Sequence, residues 1–150
     1  MNNKKKNKPI IDIGWREWIS IVDFKDFYLK AKIDTGATIS ALHATHIKEF
    51  DFEGSRYVKF RLYQSKSYKM MSKPIVDYKM IKNSFGKKQL RPLINISIKI
   101  GSDTINTIIT LTRRSKMTYP VLIGRSTLHN NYRINPRKSF LAGNLNEICK

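Results

Sequence analysis

The run Asp34-Thr35-Gly36-Ala37 places a carboxylate, a hydroxyl and a glycine directly after an apolar strand pattern. Two carboxylates held close together cannot both ionise, so such a pair shares one proton and can serve a bound water as base and a substrate carbonyl as acid. Gly36 lets the loop backbone approach that water, and the Thr35 hydroxyl can fix the loop. Asp34, Thr35 and Gly36 are therefore candidate catalytic residues, although the same types also occur in an ordinary turn after a strand.

An aspartate pair needs a second copy of this motif, and the sequence has none. The nearest candidate, Asp103-Thr104-Ile105, lacks the glycine and lies in a predicted hairpin turn. The second carboxylate would then come from another copy of the chain across a two-fold axis, where one surface patch meets itself. The catalytic hypothesis therefore predicts a homodimer.

The elements that would position Asp34 are strands. Bulky and polar residues alternate over 14–21 and 27–33, and the second run leads directly into Asp34. The clearest hairpin runs over 94–112, with its turn at 101–103. Many short strands with turns between them favour a closed barrel, because an open sheet would leave its edges exposed.

Other segments complete a predicted all-β chain, mainly strands with one or two short helices. The helices are predicted over 38–47 and 124–130, and the lysine-rich stretch 65–90 is either a flap or a long surface hairpin. Residues 1–9 are polar and basic with nothing to bury, so they are predicted to form a disordered tail before one domain over 10–150.

Composition narrows the possible environments and partners. Lys and Arg number 29 against 11 Asp and Glu, a net charge of +18 that favours acidic partners, although scattered lysines are also typical of a solvated surface. The single cysteine, Cys149, allows no internal disulfide. No run is long and apolar enough for a membrane span or a secretory signal, so we expect a cytoplasmic protein with no membrane partner.

Further runs resemble one particular family. They are 14–18, 31–37, 40–44, 111–114 and 122–125, and the apolar 119–123 leads into Gly124-Arg125. In order along the chain they resemble a bacterial retropepsin-like family that carries the label ATP-dependent zinc protease and often accompanies ATP-grasp ligases that add glutamates to a ribosomal protein. The resemblance implies a retropepsin-like closed acid-protease barrel and an aspartic peptidase, and it makes a ribosomal protein a candidate partner. Together with the net positive charge, it leads us to expect an acidic or glutamate-rich peptide as substrate.

Residues around the motif also have candidate roles. The same resemblance implies that Gly124 and Arg125 support the catalytic loop from below, whereas the cations near the motif are candidates because their charge could attract an acidic peptide. Ala37 and the nearby cations Lys32, Arg113 and Arg114 are candidate substrate contacts, although for the two arginines a solvated strand end is an equally good interpretation.

Two other functions remain open at this point. His43 and His46 would share one face of a helix over 38–47, and with Asp34 or His129 they could form a zinc site, but simple surface or backbone roles are favoured and no metal is predicted. The sequence has no phosphate-binding loop for ATP, so no cofactor is predicted. A basic barrel that binds RNA or the ribosome is the second alternative, not favoured because the cations look spread rather than gathered around aromatics.

Overall fold

The computed structural model describes residues 9–82, 85–113, 118–128 and 131–144. In these residues the chain is all-β, as predicted, and the structure has no helix in them, hence none that could cross a membrane. The strands are β1 (Ile11–Gly14), β2 (Arg16–Ile21), β3 (Tyr28–Ile33), β4 (Ser40–His43), β5 (Thr45–Phe52), β6 (Ser55–Gln64), β7 (Ser67–Lys82), β8 (Lys88–Ile100), β9 (Asp103–Thr112), β10 (Val121–Ile123) and β11 (Tyr132–Asn135).

Six of these strands close into a barrel, which confirms the predicted architecture. Their order is β2-β3-β10-β4-β9-β8, and β8 pairs back onto β2 through Ile19 and Ile100. Closure leaves no free edge within this ring. Most inward positions of its strands are apolar, so the barrel encloses a continuous core that includes Leu29, Leu42 and Ile109.

The sheet continues outside the barrel as an arm, which we define as β5, β6 and residues 67–74 of β7. β7 pairs with β6, and β6 pairs with β5. Val58, Phe60 and Leu62 of β6 are fully buried and belong to the same core as the barrel. The arm is therefore fixed to the barrel through its inner face.

A hairpin of β7 and β8 projects from the barrel beyond the pair Asp77 and Leu93. Its register is regular to the pair Lys82 and Lys88. This hairpin belongs to the lysine-rich stretch 65–90, and the described residues of that stretch, 65–82 and 85–90, form turns and well-paired strands. Long paired strands with polar surfaces carry little alternation signal, because neither face of the projecting part is buried.

The predicted helix over 38–47 is wrong. Ser40 to His43 form β4, which pairs with β9 on one side and β10 on the other. Ser40 and Leu42 are buried while Ala41 and His43 are half-buried, which is the two-residue period of a strand. The small residues of this segment fit a helix locally, but ladder hydrogen bonds from two neighbours override that preference.

The helix predicted over 124–130 is also wrong where the structure describes it. Residues 124–128 form a tight turn in which the Thr127 N–H donates to the Gly124 carbonyl at 3.2 Å, and 129–130 lie outside the described residues. The chain turns here instead of forming a helix because Gly124 and Thr127 both hydrogen-bond to Ser40 of β4, as described below.

One buried carboxylate ties the two ends of the domain together. Glu17 is fully buried at an inward position of β2, and it accepts hydrogen bonds from the N–H groups of Gly14, Leu141 and Ala142 at 2.7, 2.9 and 3.2 Å. Three donors compensate the cost of burying the charge. β1 lies beside this point and pairs in parallel with β11.

Candidate active site

The Asp34 loop begins where β3 leaves the barrel. The Asp34 N–H donates to the Ile123 carbonyl of β10 at 2.8 Å, which anchors the start of the loop. The Gly36 N–H donates to the Asp34 Oδ1 at 3.1 Å, and the Ala37 N–H donates to the Asp34 carbonyl at 3.2 Å. Asp34 is half-buried, and Thr35 and Gly36 are exposed. The carboxylate is thus oriented by its own loop and remains accessible.

Arg125 latches this loop from the turn after β10. Its Nη1 donates to the Thr35 carbonyl at 2.7 Å, and its Nη2 donates to the Thr38 Oγ1 at 3.1 Å. Its backbone N–H also donates to the Ala37 carbonyl at 2.9 Å. A guanidinium offers several donors in a rigid planar fork, so one side chain can hold two points of the loop at once.

Gly124 lies under the loop at a point where no side chain fits. A Cβ placed there would lie 2.8 Å from the Ile39 carbonyl carbon and 3.0 Å from the Ala37 oxygen. The Gly124 N–H donates to the buried Ser40 Oγ at 2.9 Å. The two segments therefore approach backbone to backbone.

Three buried hydroxyl groups support the close approach of the Gly124 segment to β4, and sequence reasoning missed them. Thr127 Oγ1 hydrogen-bonds to Ser40 Oγ and, at 2.8 Å, to Thr107 Oγ1. All three residues are buried. A signal was present for Thr107, because it occupies an inward position in the alternating pattern of β9. Ser40 and Thr127 gave none, since the hydrogen bond that joins their side chains spans 87 positions of the sequence.

Replacing Thr127 by Val should destabilise the fold by about 1–3 kcal/mol, because the isosteric side chain leaves the Ser40 and Thr107 hydroxyls short of a partner. Chemical denaturation would measure this loss. Thr104→Val, at an exposed position of β9, is the matched control and should change the free energy of unfolding by less than about 0.5 kcal/mol. Equal effects of the two variants would show that the hydroxyl network contributes nothing.

The structure brings some of the predicted substrate contacts to the loop and leaves others apart. Lys32 is exposed near the end of β3, and Ala37 is half-buried within the loop. Arg113 is exposed and follows β9. It lies four residues beyond Ile109, the residue that pairs with Ser40 at the loop end of β4, so Arg113 is about 13 Å along the strand from that end. Arg114 lies outside the described residues.

Arg16 is a cation that the sequence did not single out and that lies beside Lys32 in the β2–β3 ladder. Its Nε donates to Ser139 Oγ at 3.0 Å, and its Nη1 donates to the Tyr119 hydroxyl at 3.2 Å. The guanidinium carbon also lies 4.7 Å from the centre of the Trp15 ring. Arg16 is therefore held in place on the outer surface next to the strand that carries Asp34.

No hydrogen bond joins another carboxylate of the described residues to Asp34. The other carboxylates have partners or positions elsewhere: Arg133 for Asp12, backbone N–H groups for Glu17 and Asp77, Lys73 for Asp23, Arg56 for Glu49 and Asp51, Tyr132 for Asp103, and positive-φ turns for Asp26 and Glu53. Glu147 is not among the described residues. The described part of one chain thus offers Asp34 no partner for a dyad.

The alternative of a zinc site required His43 and His46 to share one face of a helix, and the structure has no helix at these residues. His43 belongs to β4, while His46 belongs to β5, where it has a positive φ of 51° and lies beside Thr45. Within the described ranges no three His, Cys, Asp or Glu side chains converge on one point. His129 is outside those ranges.

A closed six-stranded barrel whose Asp-Thr-Gly loop is held by a Gly-Arg turn defines the retropepsin-like class of folds. The chain belongs to the RimB-like family, described as the retropepsin-like aspartic endopeptidase RimB, whose model matches residues 12–144. This family and fold agree with the resemblance seen in the sequence.

Curated proteins similar to this chain are named as ligases, whereas the family is described as an endopeptidase. A protein of Shewanella halifaxensis named probable alpha-L-glutamate ligase is 31% identical over 140 residues, which cover 91% of this chain and 31% of that protein. One with the same name from Desulfotalea psychrophila is 29% identical over 128 residues, 83% of this chain and 28% of that protein. The chain thus spans about a third of the length of these curated relatives.

A solved structure from Legionella pneumophila, of a protein with unknown function, matches with a TM-score of 0.74 and 27% identity. The match covers 87% of this chain and 97% of that one. It extends the structural likeness over nearly the whole of a solved chain.

Proposed function

We propose that this chain is an aspartic peptidase whose catalytic dyad consists of Asp34 from each of two copies in a homodimer. The observation that carries the proposal is the Asp34 loop itself. Its carboxylate is oriented by the Gly36 N–H and remains accessible, and the loop is held by Arg125. A loop fixed at both ends around an accessible acid suits catalysis better than a simple turn does, because a reacting group must be held in position.

The chemistry needs both carboxylates. One is ionised and takes a proton from a water molecule as that water attacks the scissile carbonyl carbon. The other is protonated and donates its proton to the carbonyl oxygen, giving a neutral tetrahedral diol. Collapse of the diol breaks the carbon–nitrogen bond. The carboxyl that took the water proton passes it to the departing amine, and a diol hydroxyl gives its proton to the other carboxylate, which restores the singly protonated dyad. Gly36 leaves room for the water beside Asp34.

The homodimer follows from the absence of a second carboxylate beside Asp34 in the described part of the chain. A two-fold axis close to Asp34 would bring two identical loops together, so that each chain supplies one member of the dyad. In the two-fold dimer the exposed Thr35 and Gly36 of one loop would face their counterparts.

The β7–β8 hairpin is the proposed flap over this site. It projects beyond the barrel and carries exposed apolar side chains, including Val76, Met80 and Leu90. A cover of this kind would exclude water from the bound peptide, which strengthens the electrostatic interactions of the dyad.

The proposed substrates are acidic or glutamate-rich peptides. Arg16 and Lys32 lie next to each other on the strands that lead to the loop, and the net charge of +18 favours encounter with anions. The names of the relatives, probable alpha-L-glutamate ligases, describe proteins that act on glutamate, and a peptidase for glutamate-containing peptides is chemically consistent with them.

A comparison of peptides at two salt concentrations tests this preference. At low salt we expect a glutamate-rich peptide to be cleaved with a kcat/KM about tenfold higher than a neutral one, with the difference lost at high salt as the charges are screened. Lys32→Gln should reduce the preference, whereas Lys66→Gln, in the exposed β6–β7 turn, should leave it intact. Equal cleavage of both peptides at low salt would contradict the acidic preference.

A further inference from the structure

The outer face of the arm is the side that carries Tyr57, Lys59 and Arg61, opposite the buried Val58 and Phe60. Side chains alternate between the two faces of a strand, so the neighbours that lie on this side follow from the register. Lys59 lies opposite Lys48 of β5, and Arg61 lies opposite Met70 of β7. The face is thus one continuous surface across three strands.

Aromatic side chains form a cluster at each end of this face. At one end the Tyr57 ring lies 5.7 Å from that of Phe50 and 5.6 Å from that of Phe52. At the other end the rings of Tyr63 and Tyr68 are 5.5 Å apart. Phe52 and Tyr68 are 51% and 44% exposed. The clusters are separated by six residues along β6, about 20 Å.

Cations occupy the space between the two aromatic clusters. Lys48 and Lys59 are exposed, and the Arg61 guanidinium carbon lies 4.4 Å from the centre of the Tyr68 ring. Hydrogen bonds with Thr45 and Arg61 lower the pKa of Tyr63, so these side chains are linked across the strands.

The arm's acidic strand residues point the other way. Glu49 and Asp51 of β5 lie opposite Val58 and Arg56, on the inner side, and both are within ion-pair distance of Arg56 at 3.7 and 3.3 Å. The outer face of β5, β6 and residues 67–74 therefore carries cations and no strand carboxylate. The separation of cations from carboxylates cannot be seen in the sequence, where charges are scattered evenly. It arises because successive residues of a strand point to opposite faces of the sheet.

We propose that the outer face of the arm binds single-stranded RNA, with bases stacked on the two aromatic clusters and phosphates held by Lys48, Lys59 and Arg61. Exposed rings on a sheet stack unpaired bases, and interleaved cations hold the backbone between them. A duplex would suit the face poorly, because its bases are already stacked inside the helix. An acidic peptide would pair with the cations but would leave the aromatic rings unused.

The proposal is tested with the full chain and a fluorescent RNA of about 12 unstructured nucleotides, a length within the usual range of such sites. Anisotropy titrations at about 50 and 200 mM salt would give Kd and its salt dependence. We expect binding to the single strand to be at least about tenfold tighter than to the same sequence in a duplex. Equal affinity for both forms would overturn the proposal, because the cations alone would then account for binding.

Two pairs of variants separate the cations and the rings from general charge. Lys48→Gln with Lys59→Gln should weaken binding about tenfold and lower the slope of log Kd against log salt by about 1.4, for two phosphate contacts. Lys82→Gln with Lys88→Gln removes the same charge from a cross-strand pair on the β7–β8 hairpin and should change Kd less than about threefold. Equal losses in the two double variants would overturn the proposal.

Ring removal tests stacking. Phe52→Leu with Tyr68→Leu keeps apolar side chains at two exposed positions, so folding should be preserved, yet the loss of stacking should weaken binding at least about fivefold. Unchanged RNA affinity in this variant would contradict the proposal. So would loss of the dimer in sedimentation, since the face would then be a contact between copies of the chain. Asp34→Asn should bind RNA normally, which keeps this result separate from that of the peptidase assay.

Discussion

Replacement of Asp34 by Asn should lower kcat/KM for peptide cleavage by roughly 10²–10⁴-fold or more, the range typical of a lost general acid or base. An amide cannot take up the proton of the attacking water, so two amide side chains at this position cannot form a proton-sharing pair. The loop should survive, because the amide oxygen can still accept the hydrogen bond from Gly36 that Asp34 Oδ1 accepts. Steady-state kinetics on a cleavable peptide would measure the loss.

Structural controls show whether the loss of activity comes from the missing carboxylate or from a disrupted fold or dimer. Sedimentation and thermal denaturation should show an intact dimer and a melting temperature no lower than that of the wild type, since two adjacent carboxylates repel one another when both are ionised. Asp26→Asn, in an exposed turn with a positive φ of 53° that Asn tolerates, is the matched control and should retain full activity. An active Asp34→Asn enzyme would exclude the proposed mechanism.

Replacement of Gly124 by Ala should destabilise the protein by about 3 kcal/mol, at the upper end of the range for overpacked positions. The new Cβ would lie 2.8 Å from the backbone carbon of Ile39, and backbone atoms cannot rotate out of the way as a side chain can. Activity should fall about 10²-fold as well, because the Asp34 loop would have to shift. Denaturant unfolding and kinetics on the folded fraction would measure the two effects.

Gly54→Ala is the control for the Gly124 variant. Gly54 has open space around its Cα but a φ of +78°, so alanine there should cost about 1 kcal/mol through backbone strain alone and leave activity unchanged. If Gly124→Ala were no more harmful than Gly54→Ala, the close approach under the loop would have no energetic importance.

The strands that carry Asp34 and the main hairpin could be predicted because one face of each is buried. β3 and the β8–β9 hairpin alternate clearly, and their apolar positions are the ones that fill the barrel. β4 could not be predicted, since Ser40 to His43 contain no β-branched residue and take their structure from two neighbours that lie far away in the sequence. Local propensity is a weak guide where pairing decides.

The candidate site was likewise predictable only in part. The Asp-Thr-Gly and Gly-Arg motifs can be recognised in the sequence. The sequence does not show that Arg125 reaches the Thr35 carbonyl or that Ser40 and Thr127 share a buried hydrogen bond. Those contacts depend on the order of strands around the barrel, which alternation alone does not determine. The grouping of cations and rings on the arm was hidden for the same reason, because it depends on register.

The distance between the two Asp34 carboxylates in the assembled protein tests the central claim most directly. A crystal structure of the dimer should place the nearest carboxylate oxygens within about 2.5–3.0 Å of each other, the range of a hydrogen bond through a shared proton. A monomeric protein in solution with Asp34 open to solvent, or a dimer that holds the two carboxylates far apart, would contradict the account.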